Sequence, residues 1–234
     1  MLKEKNMLPW RLIMTQLLQV IVMFFIMGSI LFVSAGRLDW WEAWVFLIIY
    51  FFIALVSAVW MLRTNSDLVQ ERNRPGQNVK PWDNLLVGIN LLLTLALFVV
   101  IGLDAGRQGW SKVSLVVKAI GLLGFLPAFG LPLWASKTNA YLSSRVHIQQ
   151  ERGHAVVAVG PYRYVRHPMY VGMIFYDVSV PLLLGSWWGL AVSVTMIVMV
   201  IVRTALEDRT LQRELSGYRE YSQQVRYRLL PRVW

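Results

Sequence analysis

Hydrophobic residues in this chain occur in runs long enough to cross a membrane, and most charged residues lie between those runs. A helix of about 20 apolar residues spans the roughly 30 Å hydrocarbon core of a bilayer. Four runs of 20 to 24 residues, with one charged side chain among them, therefore predict spanning helices at 12–35, 43–62, 84–103 and 113–136.

A fifth run is too long for a single span. Residues 168–202 form 35 consecutive positions with one charged side chain, Asp177. One helix of that length would measure roughly 52 Å at about 1.5 Å per residue. Turn-forming residues around Gly185 instead predict a helical hairpin, with arms at 169–184 and 187–202. We therefore expect an all-α integral membrane protein with about six membrane-embedded helices, the last two forming this hairpin.

Composition and charge agree with a membrane protein. The 234 residues are 56% hydrophobic and only 15% charged, which excludes an ordinary soluble domain. The net charge of +10 reports topology here, because 19 of the 23 Lys and Arg residues fall on one predicted face. That face holds both termini and is predicted to be cytoplasmic, in a multi-pass protein of the cell's inner membrane. The charge needs no nucleic acid partner to explain it.

Two long polar segments, 137–167 and 203–234, flank the hairpin on the predicted cytoplasmic side. They can meet over its open end, in a site half in the membrane and half in water. Such a site suits one polar and one lipidic reactant. Pro168 fits the first turn of a helix, and the free N–H groups of that turn favour an anionic ligand group beside His167.

Residues 160–172 read GPYRYVRHPMYVG, and residues 203–211 follow the pattern R-x-x-x-E-D-R-x-L. G-Y-R-E-Y and a terminal R-x-x-P-x-x-W come next. In this order, over roughly residues 150–234, the motifs resemble the isoprenylcysteine carboxyl methyltransferase family. These are integral membrane enzymes that use S-adenosylmethionine (SAM). The resemblance implies N-terminal transmembrane helices over 1–111 and a methyltransferase-like core with a cytoplasmic cofactor pocket over 112–234.

The resemblance also implies which residues form the SAM pocket. Glu207 would hold the ammonium group of the cofactor, and Arg203 or Arg166 would hold an acceptor carboxylate as the catalytic cation. An acceptor carboxylate has a pKa of about 4, so it is already ionised and needs no general base. The expected cofactor-binding residues are Tyr164, His167, Tyr170, Gly172, Glu207 and Asp208, with Arg166 beside them.

Other functions remain open at this point. The resemblance implies a lipidic or prenylated acceptor, small molecule or protein, but a phospholipid or amine methyltransferase fits the same helices. An NADPH-dependent membrane reductase of related fold and a non-catalytic membrane protein are further alternatives. A Rossmann-type SAM domain is not supported, since no G-x-G-x-x-G follows a strand. No metal site is expected: the chain lacks cysteine, and His147 and His154 are not spaced as a ligand pair on one helix. Asp177 is expected to face a cavity or a partner group, and it would be buried within protein if the first arm of the hairpin lines the pocket.

Overall fold

The computed structural model describes residues 10–72 and 79–234. Lys3, Lys5 and Arg74, which contribute to the predicted cytoplasmic charge, lie outside these ranges. The described residues contain helices and no strand, so the all-α fold is confirmed. The helices are α1 (Trp10–Ala35), α2 (Trp41–Thr64), α3 (Ser66–Arg72), α4 (Pro81–Ile101), α5 (Leu115–Thr138), α6 (Pro168–Leu184), α7 (Trp187–Glu214) and α8 (Tyr218–Gln224).

Five of the described helices are long and apolar enough to span a membrane. They are α1, α2, α5, α7, and α4 together with a π-helical turn at Gly102–Gln108. The apolar helix α6 is shorter, at 17 residues. The four N-terminal runs recognised in the sequence therefore each form a helix, because a chain in lipid must satisfy its backbone polar groups internally.

The predicted hairpin is formed by α6 and α7. Gly185 ends α6 with a φ of +81°, a left-handed conformation that glycine adopts without steric cost. The Ser186 hydroxyl caps α7 by accepting a hydrogen bond from the Gly189 N–H at 2.8 Å. The same hydroxyl donates to Asp104 of the π-helical turn at 2.5 Å, which fixes the closed end of the hairpin against α4.

At the other end, α7 continues 12 residues past the apolar arm predicted to end at 202, and reaches Glu214. Gly217, with a φ of +78°, then turns the chain into α8. This order of long helix, glycine break and short helix brings the C-terminal segment back over the open end of the hairpin.

The N-terminal helices also contact this end. Asp83, in the first turn of α4, is fully buried and pairs with Arg203 of α7. The division of the chain at residues 111 and 112 stays a prediction, and this contact shows that the N-terminal part supports the region proposed as the core.

Candidate active site

The two polar segments that flank the hairpin meet around one buried carboxylate, that of Asp208 on α7. Its Oδ1 atom lies 3.3 Å from Nη1 of Arg166 and 3.4 Å from Nε2 of His167. The Tyr218 hydroxyl donates a hydrogen bond to the same oxygen at 3.0 Å. Arg166 and His167 immediately precede α6, so these contacts close the open end of the hairpin as the sequence predicted.

The second oxygen of Asp208 is occupied as well. Arg228 Nε donates to Oδ2 at 2.9 Å, and the Gln212 amide donates to it at 2.8 Å. Both oxygens therefore accept hydrogen bonds from protein groups, and Asp208 does not line the cavity beside it. This geometry does not favour the expected binding of the cofactor by Asp208. Its carboxylate instead positions the residues around it.

Arg228 is a site residue that the sequence analysis did not single out. The backbone N–H groups of Arg166 and His167 donate to the carbonyl oxygens of Tyr227 and Arg228, both at 3.0 Å. The Arg228 guanidinium also lies 4.7 Å from the centre of the Trp234 ring. The signal was present, because Arg228 and Trp234 are the first and last residues of the terminal R-x-x-P-x-x-W motif.

A cavity of about 90 Å³ lies beside these contacts. Its walls come from the segment 139–157, the residues before and in the first turn of α6, the outer part of α7, and α8. All three histidines of the chain line it: His147, His154 and His167. The described residues contain no group of three or more metal-ligating side chains placed to hold a metal ion.

Glu207 and Tyr170 form one wall of the cavity. The Tyr170 hydroxyl donates a hydrogen bond to Oε2 of Glu207, and the Tyr170 ring stacks on His167 at 5.7 Å between ring centres. Among the described residues, no donor binds Oε1 of Glu207. Arg166 also lines the cavity, and its buried Nε has no hydrogen-bond partner in the described part of the chain. The Glu207 carboxylate and the Arg166 guanidinium can therefore each form a further hydrogen bond with a ligand.

Three phenols and one imidazole of the cavity are neutral at physiological pH. Burial raises the pKa of Tyr162, Tyr218 and Tyr221 above the ordinary value for a phenol. Burial, together with the nearby His147 and Arg152, lowers the pKa of His154 to about 4. Neutral phenols and a neutral imidazole can donate or accept hydrogen bonds without adding charge.

Arg203 does not line the cavity. Its Nε lies 2.8 Å from Asp83 Oδ1 and its Nη2 lies 3.3 Å from Asp83 Oδ2, while Nη2 also donates to the Ser144 carbonyl at 3.0 Å. The guanidinium carbon sits 5.4 Å from the centre of the Tyr170 ring. Because protein groups already engage its guanidinium, this geometry does not favour the expected binding of an acceptor carboxylate. Arg203 positions Tyr170 instead.

Two further expected cofactor residues lie away from the cavity. Tyr164 is 63% exposed, and its nearest aromatic neighbour is Trp134 at 6.4 Å between ring centres. Gly172 faces α5, where an added Cβ would lie 2.5 Å from Pro132 Cδ and 3.1 Å from the Ala128 carbonyl oxygen. Gly172 therefore allows close packing of α5 and α6, and its role in cofactor binding stays a prediction.

Asp177 is buried, at 4% exposure, as expected for a charged residue within an apolar helix. Its Oδ2 has no hydrogen-bond partner among the described residues, and its carbonyl accepts a hydrogen bond from the Ser193 hydroxyl of α7. It lines neither this cavity nor the groove described next, so the expectation that it faces the pocket is wrong.

A groove of about 470 Å³ runs between α1, α2 and α5. Met169, in the first turn of α6, lines both the groove and the cavity. Most of the groove residues are apolar, and the polar ones come from α1, α2, α3, the end of α5 and the segment after it. Its apolar residues are Val20, Ala54, Ala58, Met61, Val69, Phe129, Pro132, Leu133 and Met169, and its polar residues are Gln16, Gln19, Ser57, Arg72, Ser136 and Ser144.

Residues 127–213 match the model of the isoprenylcysteine carboxyl methyltransferase (ICMT) family. This match confirms the family resemblance. It covers the residues before α6, the whole hairpin, and both Glu207 and Asp208. The chain is also similar to the solved structure of a eukaryotic intramembrane Ras methyltransferase, ICMT, at 16% identity and a TM-score of 0.43. That similarity covers 88% of this chain and 83% of the other. No curated protein matches the chain.

Proposed function

We propose that this chain is an integral membrane methyltransferase that transfers a methyl group from SAM to the carboxylate of a lipidic acceptor of the prenylcysteine type. One observation carries the proposal beyond the family match. A cavity lined by the charged residues Glu207 and Arg166 of the family motif and a groove lined mostly by apolar residues of membrane helices share the side chain of Met169. A polar methyl donor and a lipidic acceptor need two such compartments with a common border.

The residues of the cavity fit the polar end of SAM, which carries an ammonium and a carboxylate group. Oε1 of Glu207 is open to an ammonium group, and the orphaned Nε of Arg166 is a donor for a carboxylate. Charge-assisted hydrogen bonds of this kind are among the stronger ones in proteins. His167 and Tyr170 hold these groups in place through their stacked rings and the Tyr170–Glu207 hydrogen bond.

The size of the cavity implies a movement on binding. At about 90 Å³ it is smaller than the roughly 300–1,000 Å³ typical of pockets for small molecules. Its outer wall is the segment 139–157, much of which is irregular backbone between α5 and α6. We infer that this segment moves outward to admit SAM and closes over it, so that water is excluded during transfer.

SAM supplies the methyl group as part of a sulfonium. When bound, it would give that methyl group to an acceptor carboxylate oxygen, and the electrons of the broken sulfur–carbon bond would return to sulfur. No proton moves, so the site needs no general base. The task of the protein is alignment and exclusion of water, and alignment alone is worth on the order of 7–11 kcal/mol. Met169 supplies an apolar wall of the site, and the segment 139–157 supplies the wall that closes over it.

The chemistry of the cavity also bears on the alternative of an amine acceptor. An amine with a pKa near 10 must lose a proton before it attacks. Burial holds the pKa of His154 at about 4, which makes this cavity imidazole a weak base. A carboxylate acceptor makes no such demand on the site, because it is already ionised.

Calorimetric titration of the purified, detergent-solubilised chain tests the donor. We expect SAM and its demethylated product to bind, and NADPH to give no heat. Radiolabelled transfer then tests the acceptor, with a prenylcysteine carrying a free carboxylate compared against phosphatidylethanolamine. Binding of NADPH in place of SAM would overturn the proposal in favour of a reductase, and label in phosphatidylethanolamine alone would overturn the acceptor.

A further inference from the structure

Arg72, the last residue of α3, lines the groove between α1, α2 and α5. Its Nη2 donates to the Ser136 hydroxyl at 3.2 Å, and its Nε donates to the Leu142 carbonyl at 3.3 Å. Both partners are neutral. Within residues 10–72 and 79–234, no carboxylate pairs with this guanidinium.

This environment differs from that of Arg166, Arg203 and Arg228. Arg166 and Arg228 both lie against Asp208, and Arg203 lies against Asp83. A cation that is partly withdrawn from water without an anion is unfavourable, and burial lowers the pKa of Arg72. An anionic ligand in the groove would remove this cost. The groove thus has an unmatched positive charge at a wall that is otherwise mostly apolar.

The position of Arg72 relative to the cavity indicates which anion it suits. Leu142 lines the cavity, and its backbone carbonyl accepts the hydrogen bond from Arg72 Nε at 3.3 Å. The groove arginine therefore lies at the border between the groove and the cavity that contains Glu207. Ser136 and Ser144 add hydroxyl groups to the groove wall near the Arg72 contacts.

We propose that Arg72 binds the carboxylate of the lipidic acceptor, with the acceptor's hydrocarbon chain lying in the groove against Val20, Ala58 and Leu133. The occupant is an amphiphile with one anionic head and an apolar chain, as the single cation and the apolar walls require. This inference rests on the proposed function. It assigns to Arg72 the task that the sequence alone suggested for Arg203, whose guanidinium is already held by Asp83 and Ser144.

The test uses the full chain in phosphatidylcholine nanodiscs and compares wild type with Arg72→Gln, Arg72→Lys and the control Arg63→Gln. Arg63 is an exposed arginine near the end of α2 that lines neither the cavity nor the groove. The probes are a prenylcysteine with a free carboxylate and its neutral methylamide. We expect Arg72→Gln to weaken binding of the carboxylate probe by about tenfold or more, because a charge-assisted contact is lost. Arg72→Lys should restore part of that affinity, and Arg63→Gln should bind as wild type does.

The methylamide probe and the titration with SAM separate the possible failures. The methylamide should bind wild type and Arg72→Gln equally, and both should bind SAM equally. Equal affinity of wild type and Arg72→Gln for the carboxylate probe would overturn the role of Arg72. An equal loss of affinity for the carboxylate and the methylamide probes in Arg72→Gln would also overturn this role. It would show that the substitution damages the groove and does not simply remove a contact with the anion. Wild type that binds the acceptor probe but not SAM would instead overturn the proposed function.

A last arm distinguishes an acceptor carboxylate from the anionic lipid of a bilayer. Nanodiscs containing phosphatidylglycerol should leave the affinity of wild type for the carboxylate probe within about twofold. If phosphatidylglycerol lowers it as far as Arg72→Gln does, the site belongs to bulk phospholipid, and the assignment to an acceptor is wrong.

Discussion

Asp83 and Arg203 are 120 positions apart in the sequence and form a two-point ion pair, with Nε 2.8 Å from Oδ1 and Nη2 3.3 Å from Oδ2. Asp83 also accepts the Val146 backbone N–H at 2.9 Å, so this carboxylate joins α4, the segment 139–157 and α7. The pair holds the Arg203 guanidinium over the ring of Tyr170. An N-terminal helix therefore supports the wall of the cavity.

This pair predicts the effect of removing its anion. Asp83→Asn leaves Arg203 with an uncompensated buried charge, so we expect a loss of about 3–5 kcal/mol in stability. Thermal unfolding of wild type and Asp83→Asn in detergent measures this loss of stability. The matched control is Asp67→Asn, an exposed aspartate in the first turn of α3, which should change stability by less than about 0.5 kcal/mol. Equal losses of stability in the two variants would show that the Asp83–Arg203 ion pair contributes no more to stability than an exposed aspartate does.

Glu207 predicts an effect on cofactor affinity. Glu207→Gln removes the anion proposed to hold the ammonium group, so SAM should bind roughly 10- to 150-fold more weakly, as expected for one charge-assisted hydrogen bond. Calorimetric titration gives the affinity. Glu214→Gln is the control, since Glu214 lies on the same helix but pairs with Lys80 at 2.7 Å outside the cavity. Wild-type affinity in Glu207→Gln would contradict the assignment.

Gly172 distinguishes helix packing from ligand contact. Gly172→Ala places a methyl group 2.5 Å from Pro132, so we expect it to destabilise the protein by about 1–3 kcal/mol through overpacking of α5 against α6. Affinity for SAM, measured well below the unfolding temperature, should not change. Gly130→Ala on α5 is the control, because no atom lies within 4 Å of its added Cβ and helix propensity should make it neutral or slightly stabilising. Loss of SAM affinity without loss of stability in Gly172→Ala would restore the ligand role.

The imidazole of His154 predicts a pH dependence. Its pKa is about 4 in the folded chain and about 6.5 when unfolded, so between these values the unfolded state binds more protons. Stability should therefore decrease as the pH falls from about 6.5 towards 4, and His154 should contribute no slope above that window. Unfolding temperatures of wild type and His154→Gln across pH 4 to 8 measure this difference. Parallel curves for the two proteins would show that His154 is not held neutral.

The sequence by itself determined the membrane helices, the hairpin and the resemblance to a family. Runs of apolar residues predict spanning helices because backbone N–H and C=O groups in lipid must form hydrogen bonds within the protein. Gly185 and Ser186 predict the turn because glycine adopts the left-handed conformation that ends α6 and the serine hydroxyl caps the start of α7. The order of the motifs also placed Arg166, His167, Tyr170 and Glu207 in one site, and the structure brings all four to one cavity.

Only the tertiary structure decided what each motif residue contacts. Asp208 and Glu207 are neighbours in sequence, yet successive helix residues point about 100° apart, so one is saturated by buried donors and the other faces the cavity. Arg203 meets Asp83 across 120 positions, and Arg72 meets no carboxylate among the described residues. Such pairings depend on the packing of distant helices, which a local pattern of residues does not encode.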